Sequence, residues 1–378
     1  MLKTNNMTKL NKIVISGFKS ISNEHPVDLS IGDRTIIMGA NGSGKSNIIS
    51  FFKMLNFMMS GSFQSFVETN GGSQVFLHYG PKFTKSITGS LQFSDDKVEN
   101  DYSFEISYAQ GDNLVITSEK TWVKSLRYPK GSLKKLEVNF KESALVGKNS
   151  NPVISVLRKI LSNCKVYQFH DSSRTSDMRN SSDVEMNNYL QAEANNLPAF
   201  LYRIKNEFPH DYEKIVEYVR TIVPQFKDFF LEPNVAGKIL LKWVDTSASD
   251  YIFSPSQLSD GSMRFIALAT LLLQPRSIMP QMIIIDEPEL GLHPYAIDQL
   301  AEMIKEASCH SQIIVATQSP KLVDQFDASE IAIVETIETA GVNYTEVKRL
   351  NEDQLAEWLQ EYTISELWEK NLIGGRPL

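Results

Sequence analysis

Apolar positions along the chain fall into two kinds of run. Leu10 to Ser16 alternates and is rich in Ile and Val, which predicts a strand. Arg34-Thr35-Ile36-Ile37-Met38 is a short continuous run ending at Gly39, the pattern of a buried strand feeding a tight loop. Asn47 to Met59 is apolar nearly all round, as in a helix packed inside an α/β layer. Gly61 to Gly72 is rich in Gly and Ser and reads as loop. Between Ile87 and Phe140 the period drops to two: Thr88 to Phe93, Tyr102 to Tyr108 and Leu114 to Thr117 alternate, with Asp, Asn and Gly between them. That is an antiparallel meander.

Val153 to Leu161 then reads as helix and Lys165 to Phe169 as a short strand. His170 to Asn188 is Ser/Asp/Asn-rich and reads as an exposed, mobile loop. Leu190 to Phe230 predicts two or three helices broken at Pro198, Pro209 and Pro224, and Lys238 to Val244 a strand. From Ser256 onward helix and strand alternate, the signature of a parallel sheet with crossover helices. No internal repeat or sustained heptad is present. The pattern divides the chain into an N-terminal lobe with a β subdomain (1–150), a helical insert (151–250) and a C-terminal lobe (251–378).

Composition narrows the function classes. The 378 residues are 42% hydrophobic and 22% charged with net charge −7, so the chain as a whole is not a basic nucleic-acid binder. Cys164 and Cys309 stand far apart, which excludes a zinc ribbon or disulfide framework and fits a reducing compartment. The start is polar, and the longest apolar run, Phe265 to Leu273, is about half of a membrane span. The expected location is the cytoplasm, with no membrane partner.

The chemistry lies in short motifs at the ends of the apolar runs. Gly39-Ala40-Asn41-Gly42-Ser43-Gly44-Lys45-Ser46 fits G-x-x-x-x-G-K-[ST] at every defined position, with the required strand before and helix after. Gly39, Gly42 and Gly44 let backbone N–H groups point inward at phosphate, and the helix dipole adds to this. Lys45 is placed for the β/γ-phosphates and Ser46 for Mg²⁺. Met282 to Ile285 is a buried-strand pattern that delivers Asp286 and Glu287 at its end. Asp286 would hold Mg²⁺ and Glu287 would orient the attacking water. Leu258-Ser259-Asp260-Gly261-Ser262 precedes the apolar helix. Ser259 and Ser262 either cap that helix or, with Gly261, present a phosphate site at its start.

Taken in order, these motifs resemble the ABC-type ATPase head, and within it the RecF/SMC-like branch. Gly17-Phe18-Lys19-Ser20 is similar to the first-strand motif of that branch, Gly39 through Asn47 to its phosphate loop, and Asp286-Glu287-Pro288-Glu289-Leu290-Gly291-Leu292-His293-Pro294 to its acidic run. The whole resembles the compact bacterial "AAA family ATPase" proteins often found in defence-type operons. The resemblance implies an α/β P-loop head with an antiparallel β lobe and a helical insert, without a coiled coil. It implies ATP and Mg²⁺ as cofactors. It also implies a homodimer in which each ATP lies between the Gly39, Asn41, Gly42, Ser43, Gly44, Lys45, Ser46, Asn47 loop of one copy and Ser259, Gly261 and Ser262 of the other. Glu289 to Pro294 would cross that interface.

Many such heads carry a His after the next strand; here Ile313 to Thr317 is followed by Gln318, an uncharged donor, which implies slow hydrolysis suited to a switch. Gln168 resembles the glutamine that reaches Mg²⁺, with Gln74 a rival. Lys120, Lys124, Arg127, Lys130, Lys134, Lys135 and Lys141, interleaved with Trp122, Tyr128 and Phe140, form either a track for DNA or a solvated hairpin face. Glu119, Glu137 and Glu142 dilute that patch. Only 60 residues follow Gln318, too few for an added nuclease domain, so an effector would be a separate polypeptide. The aromatic tail through Trp368 to Gly374-Gly375-Arg376-Pro377 either docks a partner or packs back on its own sheet. The sequence reading is an ATP-driven switch or clamp in anti-phage defence or DNA maintenance. The rivals are the ATP-binding subunit of a membrane transporter and a nucleotide-dependent scaffold with little hydrolysis.

Overall fold

The computed structural model describes residues 8–125, 128–146 and 152–375. Arg127, Arg376 and Pro377 lie outside the described residues. The chain divides into two compact units, Met1–Lys165 with Asp327–Leu378, and Val166–Phe326.

The first unit holds two β layers. Six antiparallel strands run in the order Val27–Ser30, Lys9–Ser16, Ser86–Ser94, Val98–Ala109, Asn113–Ser125 and Tyr128–Lys135. Alternation along Ser86–Ser94 puts Ile87, Leu91 and Phe93 inside and leaves the intervening side chains toward water. The second layer joins Ile331–Thr339 to Arg34–Met38 in parallel, Ile331 opposite Ile36 and Ile333 opposite Met38, and to Val342–Arg349 in an antiparallel hairpin. Ile36, Ile37 and Met38 are fully buried, as a continuous apolar run requires in a parallel sheet.

The segment Gly61 to Gly72 is not simply loop: Phe63–Thr69 is a helix. Phe63, Phe66 and Val67, at i, i+3 and i+4, are buried. Its first N–H groups are satisfied by a residue remote in sequence: the Glu142 carboxylate accepts from the backbone of Phe63 (2.9 Å) and Gln64 (3.2 Å). The longest helix among the described residues is Lys45–Ser60, at 16 residues, and none is long and apolar enough to cross a membrane.

In the second unit Met282–Asp286 and Gln312–Thr317 pair in parallel, flanked by the helices Asp260–Leu272 and Pro294–Ala307. The prolines expected to break helices instead begin them: Leu197–Glu207 carries Pro198 and Pro209–Ile222 carries Pro209 in the first turn, where the missing N–H is no loss. Phe226–Phe230 is a strand of a three-stranded antiparallel sheet with Lys242–Asp245 and Ile252–Phe253, so the helical stretch ends earlier than its apolar content suggests.

Candidate nucleotide site

In the first unit the phosphate loop links the buried strand Arg34–Met38 to the helix Lys45–Ser60. Gly42 (φ 80°) and Gly44 (φ 109°) occupy the left-handed region open to glycine. Gly39 is required for a different reason: a Cβ there would stand 2.3 Å from the Val334 carbonyl oxygen. Lys45 is buried, and its Nζ donates to Gly39 O (2.7 Å) and Ala40 O (2.9 Å), so the loop curls around its own ammonium group. Ser43 Oγ is buried with no hydrogen-bond partner among the described residues, as suits an atom that meets a ligand oxygen. Ser46 and Asn41 are exposed.

Behind the loop a relay runs in one direction. Asn47 Nδ2 donates to Ser20 Oγ (2.6 Å), Ser20 Oγ lies 2.6 Å from Thr345 Oγ1, and Thr345 Oγ1 donates to Ser43 O (3.1 Å). Asn47, a candidate nucleotide contact, therefore faces Ser20 of the Gly17–Ser20 motif. The motif's Lys19 donates to Ser50 Oγ (2.7 Å) and lies over Phe18 and Phe76, and burial lowers its pKa. The tail packs back here: Ala40 N donates to Gly375 O (3.2 Å), Gly375 N donates to Glu335 Oε2 (3.1 Å), and Leu367 is fully buried.

In the second unit Asp286 ends a strand buried along its whole length. Gln168 Nε2 donates to its Oδ2 (3.0 Å), His170 Nε2 donates to its backbone oxygen (3.2 Å), and Oδ1 is buried with no partner among the described residues. A carboxylate oxygen left open beside a Gln amide fits a hydrated hard cation such as Mg²⁺. Glu287, half-buried, holds φ 46°, a costly conformation for a residue with a Cβ and one that gathers at functional sites. Its N–H donates to Ala316 O (2.8 Å), which ties the acidic turn to the neighbouring strand. Glu289 turns inward: Oε1 accepts from Thr317 Oγ1 (2.6 Å) and from the Gln318 backbone N–H (3.2 Å). Burial raises its pKa. Gln318 is thereby fixed at its backbone and half-buried. Gln74, by contrast, lies in the short helix Ser73–Phe76 and is exposed.

Ser259 is the N-cap of the helix Asp260–Leu272, its Oγ accepting from Ser262 N (3.0 Å) and lying 2.8 Å from Ser262 Oγ. Gly261 backs onto the acidic run, where a Cβ would stand 2.7 Å from Gly291 O. Arg264, one turn on, donates to Phe169 O (2.6 Å) and His170 O (2.7 Å). The cap and the close glycine approach both have roles within the chain, and Asp260 and Ser259 still face solvent.

The model of the family described as "AAA domain, putative AbiEii toxin, Type IV TA system" matches residues 34–324, from the strand before the phosphate loop to beyond Gln318. The chain belongs to this AAA family. Its fold is that of the SMC head. This AAA-family chain superposes on the Smc head bound to the C-winged helix domain of ScpA with TM-score 0.55 at 18% identity, covering 91% of this chain and 99% of that one. The SMC head domain from Thermotoga maritima gives 0.51 at 16%, covering 91% and 99%. The Smc head with an extended coiled coil bound to the C-terminal domain of ScpA, from Pyrococcus furiosus, gives 0.54 at 17%, covering 94% and 99%. Among curated proteins, the energy-coupling factor transporter ATP-binding protein EcfA3 of Oenococcus oeni is 31% identical over 111 residues, 29% of this chain and 37% of that protein. EcfA2 of Staphylococcus saprophyticus is 43% identical over 53 residues, 14% and 17% respectively. The AAA-family chain thus spans well under half the length of these two relatives.

Several contributors in this AAA-family chain escaped sequence reasoning. Glu289, within the acidic run, also holds the Gln318 backbone N–H, and its neighbour Leu290 is exposed. Thr345 carries no motif at all. Glu119 does not dilute the lysine patch: it is buried, accepting from Tyr102, from Ser143 Oγ (2.6 Å) and from Ala144 N (2.7 Å). Lys120 lies opposite Lys135, and Lys130, Lys134 and Lys135 stand exposed on the edge strand Tyr128–Lys135, where charge discourages edge-to-edge pairing.

Proposed function

We propose that this protein binds ATP with Mg²⁺, hydrolyses it slowly, and closes as a homodimer around the nucleotide, acting as a switch or clamp on a separate effector. The observation that carries the reading is Asp286, a buried carboxylate at the end of an apolar strand, with one oxygen held by Gln168 and the other without a partner among the described residues. Lys45 and the loop N–H groups would bind the β/γ-phosphates. Ser46 would be one ligand of the Mg²⁺ and Asp286, with Gln168 bonded to it, another, and the bound charge would screen the phosphate oxygens. Glu287 would orient and deprotonate the attacking water, and its strained backbone aims the carboxylate. Gln318, held at its N–H by Glu289, would offer the γ-phosphate a neutral donor, which supports slow turnover.

The SMC-head fold supports the dimer, because the phosphate loop and the Leu258–Ser262 motif, the signature, on one chain would then be completed by a second copy. Membership of a family described as a putative toxin of a type IV toxin–antitoxin system supports a partnered, defence-type role. The transporter-subunit alternative rests on similarity over 37% and 17% of the relatives' lengths.

Glu287→Gln decides the matter. The variant should lose about 100-fold or more of its phosphate release, the scale of a removed general base. It should also accumulate an ATP-dependent dimer by light scattering. Unchanged turnover with no trapped dimer would sink the reading.

A further inference from the structure

The segment after Gln168 is polar enough to read as free loop, yet the structure buries a cation in it. The Arg179 side chain is 4% exposed. All five of its N–H groups are used. Nε donates to Ser172 O and Ser173 O (both 3.0 Å). Nη2 donates to Ser172 O (2.9 Å) and to Asp260 Oδ1 (2.8 Å). Nη1 donates to Leu258 O (3.1 Å) and to Pro255 O. A charge so buried survives only with such a set of partners.

The acceptors bracket the signature. Leu258 precedes Ser259 and Asp260 follows it, so the guanidinium holds the backbone carbonyl on one side of that serine and the Asp260 carboxylate on the other. The acidic side chain of Asp260 is 62% exposed and stands between Ser259 and Gly261. A carboxylate there opposes the approach of any polyphosphate unless a cation answers it.

We propose that Arg179 is a positioning residue for the signature: it fixes the Pro255 and Leu258 carbonyls, holds the Asp260 side chain and offsets its charge so that a second copy's nucleotide can dock. The inference rests on the dimer reading above. Arg264 binds the same segment independently, through Phe169 O and His170 O, so the signature helix stays attached when Arg179 is replaced.

The test uses the Glu287→Gln chain as parent, with light scattering for ATP-dependent association and a fluorescent ATP analogue for binding to the single chain. Adding Arg179→Met should leave analogue binding within about threefold and weaken association at least about tenfold, because the hydrogen bonds to two signature-side carbonyls and the cation beside Asp260 are lost together. Arg179→Lys should recover part of it, since an ammonium can reach Asp260 but cannot replace the fork to two carbonyls. Adding Asp260→Asn to Arg179→Met should also restore association, and higher salt should narrow the gap between Arg179→Met and parent. Failure of the parent itself to associate with ATP would remove the dimer reading. A parent that associates while Arg179→Met does so equally well would overturn this inference alone. So would a loss that neither Lys nor Asp260→Asn recovers, accompanied by a lower Tm, since Arg179 would then serve only the fold.

Discussion

Glu289 shows what one buried carboxylate can do for a neighbouring residue. Its Oε1 orients the Thr317–Gln318 turn, while Oε2 is buried without a partner among the described residues. Burial is the first cause of its raised pKa, and the nearby Glu287 charge adds to it. The sign follows directly. A raised folded-state pKa favours folding below the unfolded value, and that contribution is lost as pH rises through the raised value. Glu289→Gln keeps an acceptor for both donors and cannot ionise. The Tm difference, variant minus wild type, should therefore grow as pH rises from about 4 toward 8, across the ordinary carboxylate range and above. A difference that stays flat with pH would mean Glu289 is not ionised against a penalty. The same substitution should slow phosphate release only modestly, because the Gln318 N–H keeps its partner.

At the scale of elements, legibility depended on how far apart in sequence the interacting groups lie. Arg34–Met38 and Met282–Asp286 were readable because a buried parallel strand is a continuous local run, and the candidate site residues sit at its end. The helix Phe63–Thr69 was not, because its cap, Glu142, comes from nearly 80 residues away. Arg179 was hidden for the same reason, since its signature-side acceptors lie 76 to 81 residues on. The phosphate loop is intermediate. Its glycines were legible, but not the reason for each, which the hairpin Ile331–Thr339 and Val342–Arg349 supplies. A Cβ on Gly39 would meet Val334 O at 2.3 Å, whereas one on Gly42 meets nothing within 4 Å and suffers only from φ 80°. Gly42→Ala should cost about 1 kcal/mol, the usual penalty of a left-handed non-glycine residue, and weaken binding of a fluorescent ATP analogue by about fivefold. Gly39→Ala must shift backbone and should weaken it well beyond tenfold, more than 1.4 kcal/mol. The reverse ranking would show that the hairpin does not hold the loop.

For the whole molecule, the division of labour between the two units matters most. The phosphate loop belongs to the unit formed by both ends of the chain, and Asp286, Gln168 and the signature belong to the unit between them. If two copies close around ATP, each nucleotide needs Lys45 from one chain and Ser259 and Gly261 from the other. Mixing two inactive chains tests this directly. Lys45→Ala removes the cation proposed to meet the phosphates. Gly261→Ala places a Cβ 2.7 Å from Gly291 O and displaces the signature. Either chain alone should show almost no turnover. In an equimolar mixture about half the dimers are mixed, and each mixed dimer has one site with both defects and one with neither. Turnover should return to about one quarter of wild type if the sites act independently, and it should rise with total protein concentration, as pairing requires. A mixture as silent as its components would mean that phosphate loop and signature serve the same nucleotide within one chain, and the second copy would have no part in the reaction.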